Sequence, residues 1–193
     1  MTENFAVAVS WLTEQDALLR GLAHALSNRV GTLVAATGLL EPGAVAPPSI
    51  VGVLRDETER LEGVLALVRL LAGSASDVDV AEPLHLPDLV TPIVELHAHH
   101  PQLRDVPVTV TPDPLAPPVR VRHVGLARAL LLLLGTAKRG AEARIAWTLD
   151  GDDVALTVSG AAGDEASAAA ARWLAGVPVE ATAAGYVMRL PRV

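Results

Sequence analysis

The feature that most constrains this chain is a proline-rich break, EPGAVAPPS at 41–49, set between two long stretches of helical periodicity. Before it, over 4–40, Leu12, Leu19, Leu22, Leu26, Leu33 and Leu40 recur in steps that keep one side of a helix apolar. After it, Ile50, Leu54, Leu61, Val64 or Leu65, Val68 and Leu71 repeat the pattern up to Gly73. Proline fixes φ and removes a backbone donor, so no helix runs through the break. The expectation is an antiparallel helical hairpin. A lone hairpin buries each apolar stripe poorly. Two of them packed as a four-helix bundle cure this, so a homodimer through residues 4–73 is expected.

Residues 82–193 have a different rhythm. LHL (84–86) suits a short strand, PDLVTPIVELHAHHPQL a helix, and VPVTVTP an alternating strand. VRVRHVGLARALLLLLGTAKRG reads as a short strand and then an apolar helix. ARIAWTLDGDDVALTVSG reads as a hairpin turning at Asp150-Gly151. An alanine-rich helix, DEASAAAARWLAG, and a strand, YVMRLP, close the chain. Strands and helices mixed in this way predict a two-layer α/β sandwich. Two units are therefore expected, 1–75 and 82–193, with a hinge in the small-residue segment 73–82.

Composition excludes several classes. The chain has 193 residues and a net charge of −7, which disfavours nucleic-acid binding, because phosphate backbones select for Lys and Arg. With no cysteine there is no disulfide, thiol catalysis or cysteine-rich zinc site. The acidic N-terminus lacks a secretory n-region. The longest apolar run, around Leu130–Leu134, falls far short of the ~20 residues that span a bilayer. A cytoplasmic protein without a membrane segment is expected. HAHH (97–100) places its histidines at spacings that do not converge as i, i+4 would. It reads as a polar helix end, where cationic His favours the C-terminus, as Lys138 and Arg139 do after the leucine run. Trp147 reads as strand packing.

RGLAHALSNRVGTL (20–33) holds the candidate site. At ~100° per residue, His24 falls almost opposite the stripe of Leu19, Leu22, Leu26 and Leu33. Arg20 one turn back, Asn28 one turn on and Gly31 two turns on share its side. An outward histidine with a cation and an amide beside it fits either a solvated face or a chemical group on display.

LAHALSNRVGTLVAATGLL resembles the phosphoacceptor helix of the dimerisation domain of two-component sensor histidine kinases. LRDETERLEGVLALVRLLAG is similar to its partner helix, and the order of elements after 82 to the family's ATPase domain. The resemblance spans about 10–193 and implies that His24 is the phosphoacceptor. The departures fall on the ATP chemistry. Leu132 and Thr136 stand where the family has Mg-nucleotide asparagines, and Ser159 stands at the adenine-reading Asp. Only Gly160 and Gly163 remain of the glycine motif, and the 22 or so residues between Gly163 and Tyr186 hold no second glycine box. Ala25 replaces the acidic neighbour of the histidine, and Arg29 a common proline.

What the resemblance then implies is a histidine phosphotransferase without ATP-dependent autophosphorylation. It would relay a phosphoryl group between response-regulator receiver domains through His24. Arg20 would steady phosphoryl oxygens, and Asn28 would orient the imidazole or a water. No cofactor or metal of its own is implied, Mg being supplied by the receiver. The alternatives are a pseudokinase scaffold that docks receivers or kinases, and a receiver phosphatase using Asn28. Calorimetry is expected to detect no ATP binding in the micromolar range; micromolar affinity would contradict this reading.

Overall fold

The computed structural model describes residues 2–41, 43–72, 80–138 and 141–193, with side chains from residue 8 onward. Gly73, most of the expected hinge at 73–82 and Arg139 lie outside the described residues. Two long helices, α1 (Thr2–Gly38) and α2 (Pro48–Ala72), flank the proline-rich break. They are tied by charge as well as by leucines. Glu57 of α2 is buried and receives Arg29 Nη1 of α1 at 3.2–3.3 Å and Arg60 Nη1 at 2.6 Å. Burial works against the Glu57 carboxylate, but the hydrogen bonds from Arg60 and Arg29 outweigh it and hold its pKa below the ordinary value.

The second part runs β1 (Ala81–Leu84), α3 (Leu86–His97), β2 (Val108–Thr111), β3 (Val119–Arg122), α4 (His123–Leu134), β4 (Ala143–Asp150), β5 (Asp153–Ser159), α5 (Glu165–Ala175), β6 (Val179–Thr182) and β7 (Gly185–Pro191). Five strands form a sheet in the order β2-β4-β5-β7-β6, with β2 parallel to β4 and the other pairs antiparallel. β1 and β3 form a separate antiparallel pair. Every second residue of β5 is fully buried, at Val154, Leu156 and Val158, as a sheet covered on one face requires. The cover is α4, buried at nearly every position from Gly125 to Leu134, with α3 and α5 beside it. The fold is thus a helical hairpin followed by a two-layer α/β sandwich.

Four local expectations shift. LHL is not a strand: β1 ends at Leu84, and Leu86 begins α3, where Pro87 suits the first turn. α3 stops at His97, and residues 98–105 form turns. β6 has one fully buried apolar residue, Val179, too little for its pattern to register in sequence. The buried face of α1 is also rotated from the expected stripe. Trp11, Leu18 and Leu22 are buried, while Leu12 and Leu19 are 59% and 41% exposed. The reason is tertiary: α1 packs on α4 and α5 as well as on α2, and the Arg128 guanidinium lies 5.4 Å from the Trp11 ring.

The contact between hairpin and sandwich is close and partly polar. Gly21 meets the turn after α3, where a Cβ would overlap the His99 carbonyl oxygen. About two turns earlier on the helix, Glu14 abuts Gly135 at the C-terminal end of α4 and faces His100, whose Nε2 is 3.7 Å from Glu14 Oε1. His97 and His100 are buried, which corrects the reading of HAHH as a cationic helix end. Burial, with the neighbouring His100, pushes His97 down to about 4, and burial also lowers His99 and His100. His100 Nδ1 accepts from the Gln102 and Leu103 amides, so the proton sits on Nε2, facing Glu14.

Burial pushes Glu14 up to about 7. The folded chain therefore keeps a proton on Glu14 between its ordinary value and pH 7 that the unfolded chain loses, so this group erodes stability as pH rises through that window. The depressed His97 acts in the opposite sense between pH 4 and 6.5, adding stability as pH rises. Glu14→Gln removes the first effect and leaves the second. Urea melts from pH 4 to 8 should show the variant gaining on the parent above pH 5, by about 3 kcal/mol relative to pH 4 once above pH 7. Parallel pH profiles would contradict this.

Candidate functional site

His24 lies on the continuous helix α1, with exposed side chain, away from the buried Trp11, Leu18 and Leu22. The i, i+4 spacing brings Asn28 against it, with Nδ2 3.2 Å from His24 Nε2. An amide NH₂ only donates, so this contact is a hydrogen bond in the tautomer with the proton on Nδ1 and Nε2 accepting. The polar neighbour of the ring is neutral, because the next residue is Ala25 and not an acid. Gly31 further along is exposed, and a side chain there would meet nothing within 4 Å.

Arg20 shares that side of α1. It forms an exposed i, i+4 ion pair with Asp16 at 2.8 Å, and it also borders His100, whose pKa its charge helps lower. Arg20, His24, Asn28 and Arg29 line one cavity of about 610 Å³. Its opposite wall is His99, Pro101 and Arg104 from the turn after α3. The three residues expected at the site, His24, Asn28 and Arg20, are thus brought together. Arg104, His99 and Gly21 were not legible as site residues. A glycine inside a helical pattern signals a close backbone approach, but nothing in the sequence says to which segment.

The positions expected to have lost nucleotide chemistry are spent on the fold. Thr136 Oγ1 donates to Leu133 O at 2.8 Å, lies 3.3 Å from the Tyr186 hydroxyl and accepts from Ala162 N. The buried Tyr186 donates to Asp164, whose carboxylate also caps α5 by accepting from Ser167 N at 2.8 Å. The Ser167 amide, then the Tyr186 hydroxyl, outweigh partial burial and lower the Asp164 pKa. Ser159 pairs with Arg144 and Gly185 in the sheet. Gly160 and Gly163 take positive φ with carbonyls pressed against them, those of Glu142 and Thr182, so sheet packing accounts for both glycines. Leu132 is buried in α4. Leu132, Thr136 and Ser159 supply neither a side-chain amide nor a carboxylate. Among the described residues no three His, Asp or Glu side chains converge on a metal site, and no helix is long and apolar enough to cross a membrane.

No family model and no curated protein matches the chain. Among solved structures it is similar to a bacterial phosphotransferase, at 16% identity over 93% of this chain and 96% of that one, with a TM-score of 0.40. It is also similar to the Acinetobacter baumannii histidine kinase AdeS, at 14% identity over 90% and 96% of the two chains, TM-score 0.43. A third is the histidine kinase ThkA solved in complex with the response regulator TrrA, at 12% identity over 89% and 60%, TM-score 0.46.

The Asn28 contact has a spectroscopic consequence. At pH 8 the ¹⁵N shifts of the His24 ring should report the Nδ1–H tautomer as dominant. Asn28→Ala should move the population towards Nε2–H, the form ordinarily preferred in water. An unchanged tautomer ratio would show that Asn28 does not orient the ring.

Proposed function

We propose that this chain is a histidine phosphotransferase of two-component signalling, which takes a phosphoryl group from one receiver domain on His24 and gives it to another. The observation that carries the reading is the exposed imidazole with the Asn28 amide nitrogen 3.2 Å from its Nε2. An imidazole acts as a nucleophile only through an unprotonated nitrogen. The Asn28 amide turns away from Nε2, Nε2 attacks the phosphorus of an aspartyl phosphate, the phosphorus–carboxylate oxygen bond breaks, and aspartate leaves as a carboxylate. The Nδ1 proton passes to solvent, leaving the phosphoramidate. The return step to a second receiver reverses this sequence. The receiver's acidic pocket holds Mg, and Arg20 supplies positive charge at the phosphoryl oxygens.

ATP is not the phosphate source in this reading. Its support is the identity of Ala25, Leu132, Thr136 and Ser159, and the use of the Thr136, Asp164 and Tyr186 polar groups within the fold. Hydrolysis of a receiver phosphate is disfavoured because Ala25 leaves the histidine without an acidic neighbour. Two copies pair through their hairpins. The support is the apolar row of Leu12, Leu19, Val30 and Val34, all exposed on α1 within about 60° of one another and clear of His24.

Incubation with a ³²P-labelled phospho-receiver should move label to this chain and onward to a second receiver, with no transfer to His24→Ala. Light scattering of both proteins should give the mass of a dimer. Transfer that survives the substitution would remove His24 from the mechanism, and a monomer mass would remove the paired hairpins.

A further inference from the structure

The cavity beside His24 is larger than a nucleophile needs, and its charge is one-sided. The chain has 22 acidic and 15 basic residues. The cavity nonetheless presents Arg20, Arg29 and Arg104 with His24, His99 and Asn28, and no carboxylate among its lining. The partners of the arginines stand outside it. Asp16 holds Arg20 along the helix, Glu57 holds Arg29 across the hairpin, and Asp105 lies 3.8 Å from Arg104 Nε with both side chains largely exposed. Arg104 is the least committed of the three. The charge is felt inside: burial depresses His99, and Arg29 adds to it. Like charges converging on one space, in an acidic protein, call for an anion there.

The walls come from both parts of the chain. α1 supplies one side and the turn after α3 the other, held together where Gly21 meets the His99 carbonyl. The cavity exists only while the sandwich stays docked on α1.

We propose that this cavity is a phosphoryl-oxyanion site in which Arg104, reaching from the sandwich, and Arg20 and Arg29, from α1, hold the oxygens of a phosphoryl group at His24 Nε2. The ligand chemistry is a tetrahedral phosphate oxyanion, met either as free phosphate or as phosphohistidine. The proposal deepens the phosphotransfer reading and rests on it for the covalent form alone. It gives the sandwich a task that needs no nucleotide: closing over the phosphoryl group and slowing its loss to water.

Two arms of one experiment separate the sources. In the first, inorganic phosphate is titrated into the unphosphorylated full chain while the His24 ring resonances are followed. Saturable millimolar binding is expected, weakened at least fivefold in Arg104→Gln and retained in His24→Gln as seen by the Arg104 Nε–H resonance. In the second, the half-life of phosphohistidine, loaded from a phospho-receiver, should fall severalfold in Arg104→Gln and recover in part in Arg104→Lys. Phosphate binding that depends on Arg104, without any receiver-dependent labelling of His24, would leave the oxyanion site standing and overturn phosphotransfer. Labelling of His24 with no phosphate binding, and with a half-life indifferent to Arg104→Gln, would overturn the oxyanion site alone.

Discussion

At Gly21 the helix that carries His24 comes so close to the turn after α3 that a single methyl group would overlap the His99 carbonyl oxygen. Most of what distinguishes this molecule follows from that approach. It places His99, Pro101 and Arg104 opposite Arg20 and His24, turning a helix face into a walled cavity. It also presses Glu14 against the end of α4, where the carboxylate loses water, finds Oε1 without a hydrogen bond, and is pushed towards its neutral form. Helix propensity alone would favour Ala over Gly at a mid-helix position by about 1 kcal/mol. Tertiary packing overrides that preference here.

The same docking explains where the sequence was readable and where it was not. Helix existence was legible, because the prolines at 42, 47 and 48 break two strongly periodic stretches. The β4–β5 hairpin was legible from alternation and from Gly151, whose φ of 63° suits the tight turn between Asp150 and Asp153. The outward direction of His24 followed from angular counting, which needs only a continuous helix. The choice of buried stripe on α1 did not. Leu12 and Trp11, or Leu18 and Leu19, are adjacent apolar residues, and only the position of α4 decides which of each pair is covered. HAHH misled for a related reason. Polar residues near a helix end usually face water, but here the turn folds back under α1 and buries His97 and His100.

Arg104 shows the limit most clearly. Nothing in LRD at 103–105 differs from an ordinary charged turn, and its significance comes only from lying across a cavity from residues far away in sequence. That Ser159 and Thr136 carry only hydroxyls could be read directly. The partners the fold gives Thr136, through Tyr186 and with it Asp164, could not. A partly buried polar group must find partners within the protein.

The ring nitrogen that carries the phosphoryl group tests the account most directly. The Asn28 contact suits the tautomer with the lone pair on Nε2 and the proton on Nδ1. After incubation with a phosphorylated receiver, ³¹P NMR coupled to the ¹⁵N-labelled imidazole should show one phosphoramidate signal, bonded to Nε2 of His24. A phosphoryl group on Nδ1, or a spectrum in which receiver phosphate gives only inorganic phosphate with no phosphoramidate, would contradict it.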